Sequence, residues 1–141
     1  MPLDYRDAAD RHWKDAIHLM SDSRLANADH LFGFSAECAL KAVMQSLGMQ
    51  MNPKKPGVPE PPFAVHIGRL GDEFLTFANA RGGARYTVGI EGTLNPFSDW
   101  DISQRYNHSA DISLQVVQNH LAGAKRTKAM LEEAFMDGGV T

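Results

Sequence analysis

Apolar residues recur every three or four positions through much of this chain, the period of a helix with one buried face. Tyr5, Ala9, Trp13, Ala16 and Met20 form the first such stripe and predict a helix over about Leu3 to Met20. Ser21, Asp22 and Ser23 then make a polar link whose side chains can cap the next helix. From Asn27 to Leu47 the sequence NADHLFGFSAECALKAVMQSL is apolar on nearly every helical face, which marks the central helix of a domain. Gly48 is a natural stop for it.

Five of the seven prolines fall in NPKKPGVPEPP, Asn52 to Pro62, which excludes helix and predicts an extended connector. Ile67, Leu70, Phe74 and Phe77 predict a third, shorter helix over about His66 to Asn79. Ala80 to Ser98 is glycine-rich around the β-prone Tyr86-Thr87-Val88 and reads as an irregular loop or a small hairpin. The last helix is expected from about Ser109 to Phe135. Ala110, Leu114, Val117, Leu121, Ala124, Leu131 and Phe135 form its apolar stripe, which Lys128 interrupts. The pattern as a whole predicts an all-α chain: a four-helix up-and-down bundle in one domain, 1–141, with two long loops at about 48–65 and 80–108.

Composition changes this picture little. Hydrophobic residues at 43% and charged residues at 22% are globular values, and a net charge of −3 points to no general affinity for nucleic acid. A local basic patch is still sufficient for it. No run approaches the roughly 18 apolar residues of a membrane span, and the polar start MPLDYRDAADRHWKD is no signal peptide. A cytoplasmic protein without membrane contact is expected. The single cysteine, Cys38, excludes an internal disulfide and reads as a small buried hydrophobe.

Within the central helix, Glu37 and Lys41 have the favourable spacing for an ion pair. They read either as a solvated pair or as an interior group in which Glu37 is gripped by Arg105, whose planar fork suits a carboxylate. Trp100, Arg105, Tyr106 and His108 crowd together ahead of the last helix. They read as a pocket for an anion or a nucleotide base, or as an anchor and pin fastening the loop to the bundle. No metal site is expected: the repeated Glu-x-x-His pairs of di-iron bundles are missing, and only Asp15-Ala-Ile-His18 comes near. Phosphate-loop, dinucleotide and serine-elbow signatures are also missing, so no cofactor is expected.

Three segments carry a resemblance to a known family. They are Ala36-Glu37-Cys38-Ala39-Leu40-Lys41-Ala42, the helix start His66-Ile67-x-x-Leu70, and Trp100-x-x-x-x-Arg105-Tyr106 before the final helix. With the order of helices, these resemble the HEPN superfamily of small helical bundles. The resemblance implies a four-helix bundle, commonly a homodimer, with a polar site near the dimer interface. It also implies an RNA-cleaving toxin or effector, or a non-catalytic partner of a minimal nucleotidyltransferase, in a toxin–antitoxin or defence setting. Ribonuclease members carry an arginine, four to six residues, then a histidine near the start of the last helix. Here those positions after Arg105 hold Ser109, Ala110 and Asp111, while His108 follows by only three.

The chain therefore reads as a non-catalytic variant, with Arg105-Tyr106 in place of the nuclease motif. It is expected to bind a nucleotide, RNA or a nucleotidyltransferase partner through Glu37, Lys41, Trp100, Arg105 and Tyr106. One alternative is a metal-independent endoribonuclease pairing Arg105 with His108 or His66, in which histidine moves protons and arginine stabilises phosphate charge. The other is a structural or adaptor bundle with Glu37 and Arg105 as a buried pin.

Overall fold

In the computed structural model, which describes residues 3–88, 95–138 and 140, the chain is all-helical. Among the described residues five α-helices are formed: α1 (Tyr5–Ser21), α2 (Leu25–Ser46), α3 (Ile67–Ala80), α4 (Ala84–Val88) and α5 (Leu114–Met136). Three 3₁₀ turns, Asn95–Asp99, Ile102–Tyr106 and Ser109–Asp111, lead into α5. No helix among the described residues is long and apolar enough to cross a membrane.

The central position expected for α2 is observed: it packs against α1, α5 and α3 and contributes Phe32, Leu40, Val43 and Met44 to the core, all fully buried. Its end is set by backbone geometry. Gly48, with φ +102°, turns the chain so that Met49 N–H reaches the Met44 carbonyl at 2.9 Å and Gly48 N–H that of Gln45 at 3.1 Å. The link from α1 to α2 repeats this pattern with Ser23, at φ 59°, in the left-handed position. Arg24 is thereby placed as the N-cap residue of α2.

Two expectations are corrected. Tyr86 and Thr87 lie in a helix, not a loop or hairpin: α4 is held by the Tyr86 hydroxyl donating to Asp137 at 2.8 Å and Thr87 Oγ1 donating to Asn79 at 2.8 Å. The rest of that glycine-rich stretch, 89–94, lies outside the described residues. The last helix begins at Leu114 with Ser113 as its cap, since Ser109–Asp111 closes as a separate 3₁₀ turn behind His108. Its buried face keeps Val117, Ala124 and Leu131 of the expected stripe, with Leu121 partly buried, and adds small and polar positions. Val117, His120, Gly123, Ala124, Thr127 and Leu131 turn inward, whereas Leu114 and Phe135 stay exposed. Small residues at 123 and 124 bring α5 close to α2, and the buried polar His120 fixes its rotation.

The segment before α5 is anchored by Trp100, 3% exposed, whose indole N–H donates to the Asp29 carbonyl at 3.3 Å. A Cβ added at Gly33 of α2 would come within 2.1 Å of that indole nitrogen, and one at Gly68 of α3 within 2.6 Å of the Trp100 carbonyl oxygen. Glycine at these positions is what admits the anchor. Gly33→Ala is expected to destabilise the fold by about 1–3 kcal/mol, the usual cost of overpacking, with urea denaturation as the check. Alanine at the solvent-facing Gly48, where a Cβ meets nothing within 4 Å, isolates the separate cost of its positive φ.

Candidate functional site

Three polar groups stand out, and the first is built on Glu37. Its carboxylate, 7% exposed, accepts from Lys41 Nζ on one oxygen at 3.1 Å. On the other oxygen it accepts from His66 Nδ1 at 3.0 Å and from the Ile67 backbone N–H at 3.1 Å. The N-cap residue of α3, His66, makes no side-chain cap of its own, so Glu37 satisfies the first free N–H of that helix from a neighbouring element. An ionised acceptor at Nδ1 fixes the His66 proton there and raises its affinity for a second one. The hydrogen bond with Glu37 holds the His66 pKa above its ordinary 6.5 against a smaller opposing effect of burial. Tyr5 beside this group is pushed up to about 12 by burial, helped by the charges of Cys38 and Glu37.

The expected grip of Arg105 on Glu37 is not formed. The second 3₁₀ turn is closed by a capping box, in which Asp101 accepts from Ser103 N–H at 2.8 Å and Gln104 Oε1 from Asp101 N–H at 3.0 Å. That geometry sends Gln104, not Arg105, toward the bundle, and the carboxylate it meets is Asp29 at 2.8 Å. Arg105 faces outward, with its guanidinium 4.9 Å from the Tyr106 ring centroid.

The second group, not anticipated from the sequence, is Asp29–His120–Asp99. His120, 1% exposed, has Nδ1 2.6 Å from Asp29 Oδ1 and Nε2 2.6 Å from Asp99 Oδ1. Phe97 stacks on its ring, 5.1 Å between centroids and 11° from parallel. A signal for this group existed. Asp29, Gly33, Glu37 and Lys41 succeed each other at intervals of four, a polar stripe on an otherwise apolar helix, and His120 falls one turn from Val117 on the face that packs.

Around Trp100 the rings of His30, Phe34 and His66 gather, with His30 stacked on the indole at 5.1 Å. Burial lowers the His30 pKa, and the nearby Arg105 guanidinium lowers it further. Its Nδ1 is buried without a hydrogen-bond partner. Trp100 is thus part of the packing and offers no ring face to solvent. Among the described residues no group of His, Cys, Asp and Glu is arranged to hold a metal ion.

The third group is an open groove of about 590 Å³ between the start of α2 and the 3₁₀ turns, with Arg24, Asn27, Gln104, Arg105, Asn107 and Ser109 in its wall. Neither guanidinium has an ion-pair partner among the described residues, and Tyr106, against Arg105, is 78% exposed. His108 caps the third turn, its Nδ1 accepting from Ala110 N–H at 3.0 Å. Of the site residues expected from the sequence, Glu37, Lys41 and His66 are therefore brought together; Arg105 alone lines the groove, with Tyr106 against its guanidinium and His108 capping the following turn. No family model, curated protein or solved structure matches the chain.

Removing the Glu37 carboxylate strands Lys41, also 7% exposed. Glu37→Ala is expected to cost about 3–5 kcal/mol, as breaking a buried pair does, read by thermal and urea unfolding. The contribution of the His66 contact is full below the unfolded-state value near 6.5 and is lost as pH rises through the higher folded value. In Glu37→Gln, NMR titration of His66 should show a midpoint moved down; an unmoved midpoint would remove Glu37 as the cause.

Proposed function

We propose that this chain is a non-catalytic, HEPN-like binding protein whose four long helices, α1, α2, α3 and α5, form an up-and-down bundle, and whose ligand is the phosphate backbone of single-stranded RNA or a nucleotide. The observation that carries this reading is the groove wall: Arg24 and Arg105 face one opening without carboxylate partners, beside an exposed tyrosine. Free guanidiniums are suited to bidentate phosphate contacts, and an exposed aromatic ring gives a base a face to stack on. The remaining surface makes the contrast. A cleft between α1 and α5 is lined by Asp4, Asp7, Asp10 and Glu132 as well as Arg6 and Lys128, a mixture that offers an anion no net attraction. A homodimer and a nucleotidyltransferase partner belong to the same proposal, through the resemblance of the helical segments.

The endoribonuclease alternative draws on His108, which follows Arg105 by three residues and whose Nδ1 accepts from Ala110 N–H next to the groove wall. Its other candidate, His66, is committed through Nδ1 to Glu37 on a different part of the surface. The adaptor alternative loses its Glu37–Arg105 pin, since Arg105 is exposed.

The decisive assay is fluorescence polarisation of a labelled single-stranded RNA with the purified chain in chelator, carried through a salt series. Binding should weaken steeply with salt, and Arg105→Ala or Arg24→Ala should each lower the log–log salt slope by about 0.7, one single-strand phosphate contact apiece. The loss should be similar for RNAs of different sequence. Wild-type protein that fails to bind at low salt refutes the proposal, and RNA shortened in chelator, with the shortening abolished in His108→Ala, establishes the nuclease reading instead.

A further inference from the structure

Donors and acceptors in the Asp29–His120–Asp99 group fix its protonation. Asp29 Oδ2 accepts from Gln104 Nε2, and Oδ1 lies 2.6 Å from the imidazole Nδ1. The orientation of the Gln104 amide is itself fixed, because its oxygen accepts from Asp101 N–H. The proton between Asp29 Oδ1 and Nδ1 rests on the imidazole, the more basic of the two groups, so both Asp29 oxygens act as acceptors. Asp99 keeps 60% of its side chain in solvent, where a carboxylate carries its charge near neutral pH. A neutral imidazole has one N–H and can satisfy only one of these two carboxylates. His120 consequently holds two protons, a buried cation flanked by two anions and covered by the face of Phe97, a favourable position for a cation.

This cation joins three elements. Asp29 belongs to α2, His120 to α5, and Asp99 ends the first 3₁₀ turn, immediately before Trp100 and the turns that carry Arg105 and Tyr106. Gln104, the second donor to Asp29, is itself a wall residue of the groove. We propose that His120 is a proton-dependent clamp: doubly protonated, it holds the segment bearing the Arg105 wall against α2, and loss of one proton frees that segment and weakens phosphate binding at the groove. The coupling to the groove rests on the function proposed above; the clamp itself does not.

The charges set the direction. Once the imidazole is neutral, one nitrogen presents a lone pair to a carboxylate oxygen at 2.6 Å, and the contact becomes repulsive. Asp99, already largely in water, is the partner that can leave at little cost. Among the described residues the carboxylates in contact with the ring are Asp29 from α2 and Asp99 from the first turn; α1, also packed on α5, contributes no ion pair to it. The partners are gained only on folding, so the stabilisation is present at neutral pH and is lost as pH rises through the folded-state midpoint.

Nitrogen-15 NMR of the imidazoles in the full-length chain, from pH 6 to 10, tests the clamp directly. At pH 7.5, where a histidine in water has lost its second proton, His120 should still show two protonated nitrogens. Asp99→Asn, which removes the outer charge without changing shape, should move its midpoint down by about one pH unit or more. A neutral single-tautomer signal at pH 7.5, or a midpoint unmoved in Asp99→Asn, overturns the proposal. In His120→Gln, amide exchange at Ser103, Gln104 and Ala110 should rise at least tenfold while α1 is unchanged; unchanged exchange in that variant also overturns it. Labelled single-stranded RNA should bind wild type at least tenfold more weakly above the His120 midpoint than below it, and His120→Gln should lack that dependence. Binding that is constant while the imidazole loses its proton refutes the coupling. If wild type binds no RNA at any pH, the proposed function fails, and the NMR and exchange results still decide the clamp.

Discussion

Two carboxylates on the buried face of α2 constrain much of what surrounds that helix. Asp29 and Glu37 lie two turns apart with Gly33 between them, and neither has room for bulk water. A buried charge without donors costs several kcal/mol, so each must be met by N–H groups brought from elsewhere. Glu37 is met by Lys41 of its own helix and by the first turn of α3. Asp29 is met by His120 of α5 and by Gln104 of the second 3₁₀ turn. Apolar packing of Phe32, Leu40, Val43 and Met44 supplies the bulk of the burial, but it is tolerant of small rotations and slides. The hydrogen bonds are not, and they set the rotation of α5 and the seat of the turns. Gly33, at the middle of the stripe, takes the indole of Trp100 and completes the seating.

Periodicity made the helical class, the central role of α2 and the proline-dense connector legible, because each rests on local spacing. The Glu37–Lys41 pair was legible for the same reason: its partners are one turn apart. What local spacing did not reveal was the partner of a buried charge far along the chain. Arg105 was one candidate partner for Glu37, on the fit of its fork to a carboxylate, whereas the structure gives Glu37 the imidazole and backbone of residues 66 and 67. Asp29 stood in plain view as a carboxylate in an apolar helix, but its imidazole is 91 residues away. The stripe expected on α5 held at Val117, Ala124 and Leu131 but missed the buried His120 by the same omission, while Leu114 and Phe135 turned out exposed. Residues 84–88 went unrecognised as a helix because a five-residue element has no period to read, and its stability comes from Asn79 and Asp137 outside it.

The second and third 3₁₀ turns bury no residue, and capping contacts with one amide to Asp29 hold them. Segments with little buried apolar area sit at the low end of local stability, and binding surfaces are drawn from that end. The groove has, in consequence, two unlike walls. Arg24 is seated by the tight link between α1 and α2, one of the best-bonded junctions in the chain. Arg105 rides on turns held by capping contacts, by Gln104 on Asp29 and by the partly buried Ile102 next to the Trp100 anchor. Under the proposed function, a phosphate between them would meet Arg24 on one wall and Arg105 on the other, the latter tied through Gln104 and Asp29 to a buried imidazole. Arg105 and Glu37 thus belong to different parts of the structure: Glu37 orders the α2–α3 contact, while the turn that carries Arg105 is seated on Asp29. Asp29 and Asp101 are occupied internally by His120, Gln104 and Ser103, so neither pairs with the guanidiniums of the groove.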